Sequence, residues 1–291
     1  MSSSDSSVDA THRWRFDLSY DGSFFRGFAS QPGQVTVVSA VQDALVLNLQ
    51  LAQPPLIVGA GRTDAGVHAF AQVLHVDLPT ALYRDDRGNE AQRLMHSLNR
   101  QLEGRIVIHE ARIAPPEFNA RHDATWRAYR YLVIETKYPA LALSQQSSFS
   151  WAVPGPLDID AMNRATSQLV GSHDFRSFCR RPDGSNADDE LRRIVLEATW
   201  SRLADTWHVT ARNESALRFD IRASSFCHQM VRSLVGTLVA VGRGRLDENA
   251  IKERLLEPSR VNMPDPAPAG GLSLVGVGYS QFAGGASGFV S

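Results

Sequence analysis

The order in which strand-like and helix-like hydrophobic patterns follow one another limits the possible folds most strongly. Trp14 to Tyr20 alternate apolar and polar residues, and a period of two predicts a half-buried strand. Ser39 and Gln42 form a capping-box signature before a helical pattern. Strand patterns then occur at 56–59, 70–78 and 106–113, with a helical stretch near 90–102. Because strands often follow one another directly, this order predicts an α+β fold with a mostly antiparallel sheet flanked by helices.

The second half of the chain has a similar order of elements. Asp158 is expected to cap a helix that extends to Leu169. Further strand patterns lie at 124–134, 193–199, 206–211, 216–223 and 272–279, and helical patterns lie at 226–241 and after Asp247. We therefore divide the chain into a disordered tail at 1–11, an N-terminal half at 12–115, a C-terminal half at 116–282 and a disordered tail at 283–291. The two halves are expected to be similar α+β units.

The composition excludes several classes of protein. The 291 residues are 43% hydrophobic and 21% charged, as in an average globular chain. No apolar run is long enough to span a membrane, and the polar N-terminus lacks the features of a signal peptide, so we expect a cytoplasmic protein without membrane association. Cys179 and Cys227 lack CxxC spacing, and we expect neither a disulfide framework nor a cysteine zinc site. The net charge of −1 gives nucleic-acid binding no overall support, although 212–245 holds six arginines against two acids.

The glycine-rich string GAGRTDAGVH at 59–68 is the most unusual segment. It is either an ordinary surface turn or a loop that approaches a ligand closely. A phosphate-binding loop is a poor interpretation because neither GxGxxG nor GxxxxGK[ST] is present. The histidines have no metal-ligand spacing, and no GxSxG elbow of a serine hydrolase occurs. The remaining chemical candidate in the loop is a carboxylate, Asp64, which could act as nucleophile or base.

Two further strings carry candidate binding residues. In the predicted strand at 124–134, alternation places Arg127, Tyr129 and Tyr131 on one face and Arg130 on the other. Aromatic rings interleaved with arginines suit base stacking and phosphate contacts, but ordinary sheet packing gives the same pattern. Arg232 lies in the predicted helix at 226–241, which is apolar nearly all round. Its guanidinium therefore either reaches solvent or has a carboxylate or phosphate partner.

Together these strings resemble the TruA family of tRNA pseudouridine synthases, which isomerise uridine in the anticodon stem-loop. The resemblance covers nearly the whole chain, and GRTDAGVH is its most specific motif. The matching motifs occur in order: Tyr20-Asp21-Gly22, Val41-Gln42, GRTDAGVH at 61–68, Phe118-Asn119-Ala120-Arg121, Tyr129-Arg130-Tyr131, His173-Asp174-Phe175, Ser177-Phe178, Phe226 with His228, Met230-Val231-Arg232, Gly236 and Gly271-Leu272-Ser273-Leu274.

The resemblance implies a tRNA pseudouridine(38–40) synthase that uses no cofactor and no metal. It also implies the pseudouridine synthase fold, with the catalytic cleft between the two halves, and a homodimer that binds tRNA. Asp64 matches the catalytic nucleophile, Tyr129 the tyrosine that stacks on the target base and handles the C5 proton, and Arg232 the arginine that pairs with the aspartate. The residues expected to contact the RNA are Arg62, Tyr129, Leu272, Arg121, Arg127 and His68.

Two other functions remain open at this point. The same stacking sheet would suit a non-catalytic RNA-binding module or RNA chaperone, in which Asp64 would be dispensable. A cofactor-free hydrolase or glycosidase acting on a nucleoside is the second alternative. The usual glycosidase needs two carboxylates, and these strings offer no obvious second one.

Overall fold

The computed structural model describes residues 11–80, 90–137, 148–181, 186, 189–203 and 215–280. The first strand begins at Thr11, so the expected N-terminal tail is one residue too long. The remainder of that tail, the expected tail at 283–291 and the predicted strand at 206–211 lie outside the described residues.

The described residues form ten strands and five α-helices. The strands are β1 Thr11–Tyr20, β2 Ile57–Gly59, β3 His68–Pro79, β4 Ile106–Ile113, β5 Ala124–Thr136, β6 Trp151–Pro154, β7 Gly171–Asp174, β8 Arg192–Arg202, β9 Ser215–Ala223 and β10 Leu272–Tyr279. The helices are α1 Val37–Leu49, α2 Glu90–Gln101, α3 Ile159–Ser167, α4 Met230–Gly242 and α5 Ala250–Leu256.

All ten strands belong to one sheet, which confirms the predicted α+β fold. The main strand order is β4-β1-β3-β10-β5-β9-β8-β7, with β2 paired to β3 and β6 paired to β5. Two pairings are parallel, β10 with β3 and β5 with β6, and the others in this sheet are antiparallel. The last strand, β10, lies between β3 and β5, so it joins the strands of the two predicted halves into a continuous sheet.

The helices pack in two groups on this sheet. Helices α1 and α2 contact each other, and α2 also contacts β4. Helix α3 contacts α4, α5 and β8. The buried apolar side chains form a single core cluster that includes residues of both groups, among them Leu45, Leu98, Met162 and Leu234. One core therefore supports both sides of the β3-β10-β5 junction.

The starts of two helices differ from their predicted positions. The capping box of α1 consists of Thr36 and Ser39, whose side chains each accept the other's backbone N–H. Gln42 instead donates to the carbonyl of Pro55. Helix α4 begins at Met230 rather than Phe226, because Gln229 has a left-handed backbone with φ of 62°. Left-handed backbone cannot continue a right-handed helix.

The exclusion of a disulfide was wrong. The structure pairs Cys179 with Cys227, whose Cα atoms are 5.7 Å apart, across 48 residues of sequence. The fold makes this contact because the 3₁₀ turn at Arg176–Phe178 packs against α4, and each cysteine lies beside one of these two elements. Such a tertiary contact has no counterpart in the local spacing of the sequence.

No helix in the described parts of the chain combines the length and the apolar character that a membrane span requires.

Candidate active site

The loop between β2 and β3 holds Asp64 in a fixed position. The N–H of Phe28 donates to the carbonyl of Thr63 at 3.1 Å, and the hydroxyl groups of Tyr20 and Thr63 are 2.8 Å apart. Gly27 has φ of 101°, and a Cβ there would stand 3.2 Å from the carbonyl oxygen of Thr63. Glycine is therefore needed at this position, since it allows both the backbone angle and the close approach. These contacts fix the residue that directly precedes Asp64.

Asp64 forms an ion pair with Arg232 across the junction of the two halves. Nη1 of Arg232 donates to Oδ2 of Asp64 at 3.0 Å, and its Nε donates to the carbonyl of Ala267 at 2.7 Å. The side chain of Arg232 is only 17% exposed, and that of Asp64 is 22% exposed. Arg232 also lies in the first turn of α4. The positive end of the helix dipole adds to the field that stabilises an anionic Asp64.

Tyr129 lies on β5 beside this ion pair and is 7% exposed. Its ring meets Phe226 edge to face at a centroid distance of 5.1 Å. Burial raises the pKa of the Tyr129 hydroxyl, and Tyr20 and the negative charge of Asp64 raise it further. Tyr129 is therefore a neutral phenol at physiological pH. It combines an aromatic surface with a hydroxyl group next to a carboxylate.

Leu272 begins β10 and is buried. It pairs with Tyr131, and Leu274 pairs with Tyr129, in the antiparallel β10–β5 ladder. Directly opposite residues of such a ladder share a face of the sheet, so Leu272 lies on the face that carries Tyr129. The apolar residue and the tyrosine are therefore diagonal neighbours.

His68, which was predicted to contact the substrate, makes internal contacts. Its side chain is 1% exposed and stacks on Phe149. Nδ1 accepts the N–H of Gly22 at 3.0 Å, and Nε2 bonds to the carbonyl of Ser148. Burial lowers the pKa of His68, and this effect outweighs the opposing charge of Asp21. A neutral histidine with its proton on Nε2 satisfies both hydrogen bonds, so His68 supports the start of β3.

Arg127, the next predicted RNA contact, makes internal hydrogen bonds that support the fold. Its Nε and Nη2 donate to the carbonyl of Ala60 at 3.1 and 2.8 Å. Nη1 donates to the carbonyls of Ala124 and Ser224, and Nη2 also donates to that of Arg121. The side chain is buried, and four backbone carbonyls occupy its donors. Arg127 therefore ties the start of the Asp64 loop to β5 and to the segment after β9.

The two other predicted RNA contacts, Arg62 and Arg121, are exposed. Arg62 precedes Asp64 by two residues, and Arg121 lies in the turn that Arg127 contacts. Both positions leave the side chains accessible to a large substrate near the ion pair.

His228 is the site residue that sequence reasoning missed. Its Nε2 lies 3.4 Å from Oδ1 of Asp64, on the oxygen that Arg232 does not bond. Two sequence signals point to it: His228 belongs with Phe226 to one of the motifs shared with the family, and it lies four residues before Arg232. The spacing is a weak signal because α4 begins only after His228.

The continuous sheet and this site define a class of protein. A mostly buried aspartate–arginine pair lies beside a buried tyrosine, at the junction of two helix-flanked parts of an α+β sheet. This is the arrangement that the resemblance to pseudouridine synthases implies.

The comparisons with known proteins identify the family within that class. A family model described as tRNA pseudouridine synthase matches residues 165–280, which include Arg232 and Leu272. The protein named tRNA pseudouridine synthase A of Frankia casuarinae is 42% identical over 277 residues, covering 94% of this chain and 91% of its own length. The protein of the same name from Leifsonia xyli is 36% identical and covers 94% of this chain and 93% of its own length. That from Cutibacterium acnes is 37% identical and covers 92% of this chain and 88% of its own length. The chain therefore belongs to the tRNA pseudouridine synthase A family, whose members isomerise uridine to pseudouridine in tRNA.

Proposed function

We propose that this protein converts uridine to pseudouridine in the anticodon stem-loop of tRNA, at positions 38–40, with Asp64 as the catalytic group. The observation that carries the proposal is the mostly buried Asp64–Arg232 pair, 3.0 Å long, beside Tyr129. A carboxylate that is held in a largely dry site without a counter-charge would be strongly destabilised. Arg232 supplies that charge at the carboxylate that meets the substrate.

The reaction exchanges one glycosidic bond for another. The N1–C1′ bond breaks, the uracil rotates, and a C5–C1′ bond forms; C5 loses a proton and N1 gains one. No net oxidation or reduction occurs, so the balance needs no redox cofactor. Asp64 can attack C1′ or C6 as a nucleophile, or abstract a sugar proton to open a glycal route. Each of these roles requires an ionised carboxylate.

Tyr129 contributes an aromatic surface and a hydroxyl group to this chemistry. Extruding a base from a stem costs a few kcal/mol, and stacking on an aromatic ring returns roughly 1–3 kcal/mol. Its raised pKa keeps the phenol protonated. Tyr129 can therefore accept the C5 proton only if its own proton passes to another acceptor, such as Asp64. Leu272, on the same face of the sheet, supplies an apolar wall for the base.

Exposed arginines around the site are proposed to bind the RNA. Arg62 lies on the catalytic loop, where it can fill the space that the extruded nucleotide leaves in the stem. Arg121 lies in the neighbouring turn and can contact a phosphate. The net charge of −1 makes such local groups more important than an overall positive field.

We also propose that the protein acts as a homodimer in the cytoplasm, where tRNA is available. Ile194 and Leu196 on β8 are apolar and each nearly half exposed, which supports a second copy as their cover. Light scattering on the purified protein tests this, with twice the 32.0 kDa chain mass as the expected result. A monomer at micromolar concentration contradicts the dimer.

Incubation with unmodified tRNA tests the activity itself. Carbodiimide treatment followed by primer extension is expected to give enzyme-dependent stops in the anticodon stem-loop at positions 38–40. Binding without any stop supports the RNA-binding module instead. Release of free uracil supports a glycosidase.

A further inference from the structure

The carboxylate of Asp64 has a different partner on each oxygen. Oδ2 accepts a hydrogen bond from Nη1 of Arg232 at 3.0 Å, and Nε2 of His228 lies 3.4 Å from Oδ1. A carboxylate that is held at one oxygen can rotate about its last side-chain bond, where the energy wells are broad. A second contact on the other oxygen limits that freedom. The distance of 3.4 Å is longer than an ordinary N–H···O bond, so Oδ1 remains available to react.

The backbone around His228 is held independently of its imidazole. The carbonyl of His228 accepts the N–H of Arg180 at 2.9 Å, and the preceding residue, Cys227, is bonded to Cys179. The following residue, Gln229, has a left-handed backbone with φ of 62°. Such strained non-glycine residues persist where the surrounding structure holds them, and they cluster at functional sites.

The imidazole itself is not held by burial. The side chain of His228 is 49% exposed, so core packing does not account for its position beside Asp64. Its neighbour Phe226 contacts the ring of Tyr129. The short segment 226–232 therefore contacts both partners of the site. Phe226 contacts the ring of Tyr129, and His228 and Arg232 contact the two carboxylate oxygens of Asp64.

We propose that His228 is a positioning residue for Asp64. It fixes the plane of the carboxylate and keeps Oδ1 facing the cleft, while Arg232 holds Oδ2. Oδ1 is then the oxygen that attacks the substrate or takes its proton. This inference rests on the proposed function, because it assigns a role within the same reaction.

The proposal is tested with His228→Ala and His228→Gln in steady-state assays at saturating and subsaturating tRNA. Losing the second contact misplaces the attacking oxygen, so His228→Ala is expected to lower kcat between about 10- and 100-fold. The KM for tRNA is expected to stay within twofold of the wild-type value. Glutamine also offers an N–H donor and is expected to recover most of the rate. Imidazole added to His228→Ala is expected to raise its rate, since the site is half open to solvent.

His109→Ala is the matched control, because His109 is exposed on β4 and away from the site. It is expected to match the wild type. The inference is overturned if His228→Ala keeps the wild-type kcat, or if its loss appears in KM alone. It is also overturned if glutamine and imidazole both fail to restore the rate of a variant whose melting temperature is unchanged. A wild-type enzyme that makes no pseudouridine overturns the proposed function instead, so the two failures are distinct.

Discussion

At the scale of single residues, charge pairing decides which side chains can carry chemistry. Arg232 donates at once to Asp64 and to the carbonyl of Ala267, so its guanidinium is fixed at two ends. Lysine cannot reproduce this fork with one ammonium group. The apolar pattern around Arg232 predicts that its guanidinium has either solvent or a charged partner. That the partner is Asp64 depends on the fold.

The first prediction concerns this pair. Arg232→Ala leaves the catalytic carboxylate of Asp64 without the group that charges and orients it. Removing one such electrostatic group from an active site typically costs roughly 10²–10³-fold in kcat, and we expect a loss of that size. Arg232→Lys is expected to recover little of it. Steady-state pseudouridine formation at saturating tRNA measures the effect, and Arg164→Ala, which removes an exposed arginine, is the control. Wild-type kcat in Arg232→Ala contradicts the role of the pair.

The second prediction separates structural support from RNA contact at Arg127. Arg127→Met removes the donors of four backbone carbonyls, and unpaired buried groups cost about 1–3 kcal/mol each. Because some carbonyls regain water or other donors, we expect a total near 3 kcal/mol and a melting temperature lower by roughly 6–12 °C. Calorimetry measures this. An unchanged melting temperature with weakened tRNA binding would instead support the original expectation of an RNA contact.

The third prediction is a pH dependence of stability. Burial is the main cause that lowers the pKa of both His68 and His75 in the folded protein. The unfolded chain therefore binds more protons below about pH 6.5, and stability is lost as the pH falls from that value. The free energy of unfolding is expected to drop by up to about 1.4 kcal/mol per pH unit for each histidine.

Urea unfolding at pH 7 and pH 5.5 measures this loss. His75→Gln is expected to show a smaller loss than the wild type, and the exposed His109→Gln the same loss. Equal pH dependence in all three proteins would contradict the assignment to buried histidines.

At the scale of elements, hydrophobic period predicted most strands but not the special backbone positions. The sequence bounds of β4 and β10 agree with the structure, since both follow clear apolar patterns. Phe70, the first residue of the predicted strand at 70–78, is exposed, whereas Leu74 and Val76 of the same strand are buried. The β1–β3 register shifts between Leu18 and Tyr20, and such an irregularity changes which residues face the core. Helix α4 begins later than predicted for a similarly local reason, because Gln229 has a left-handed backbone.

The fourth prediction concerns the link between two elements. The disulfide of Cys179 and Cys227 joins the 3₁₀ turn after β7 to the segment that leads into α4. Peptide mapping without reductant is expected to recover these two cysteines as one linked peptide. Reduction is expected to lower the free energy of unfolding by about 2–4 kcal/mol. Two free thiols, titrated in the folded protein before any reduction, would contradict the link.

At the scale of the whole molecule, the site exists because β10 closes the sheet between β3 and β5. The glycine-rich loop, the tyrosine strand and the arginine helix are far apart in sequence, and the shared core brings them together. The motifs predicted the family and the Asp64–Arg232 pairing from resemblance. Residue periodicity alone could not distinguish an arginine that binds RNA from Arg127, because both alternate in the same way along a strand. Neither could it find His228, whose contact with Asp64 depends on tertiary structure.

The proposed isomerisation of uridine depends on Asp64 as the group that performs the reaction, and Asp64→Asn tests this directly. Asparagine keeps the shape and a hydrogen-bond acceptor toward Arg232 but has no negative charge. The purified variant is expected to bind tRNA within about threefold of the wild type, a difference below 1 kcal/mol, and to form no pseudouridine. Carbodiimide mapping and a filter-binding titration on the same preparation measure both properties. Substantial pseudouridine formation by Asp64→Asn would contradict this role of Asp64.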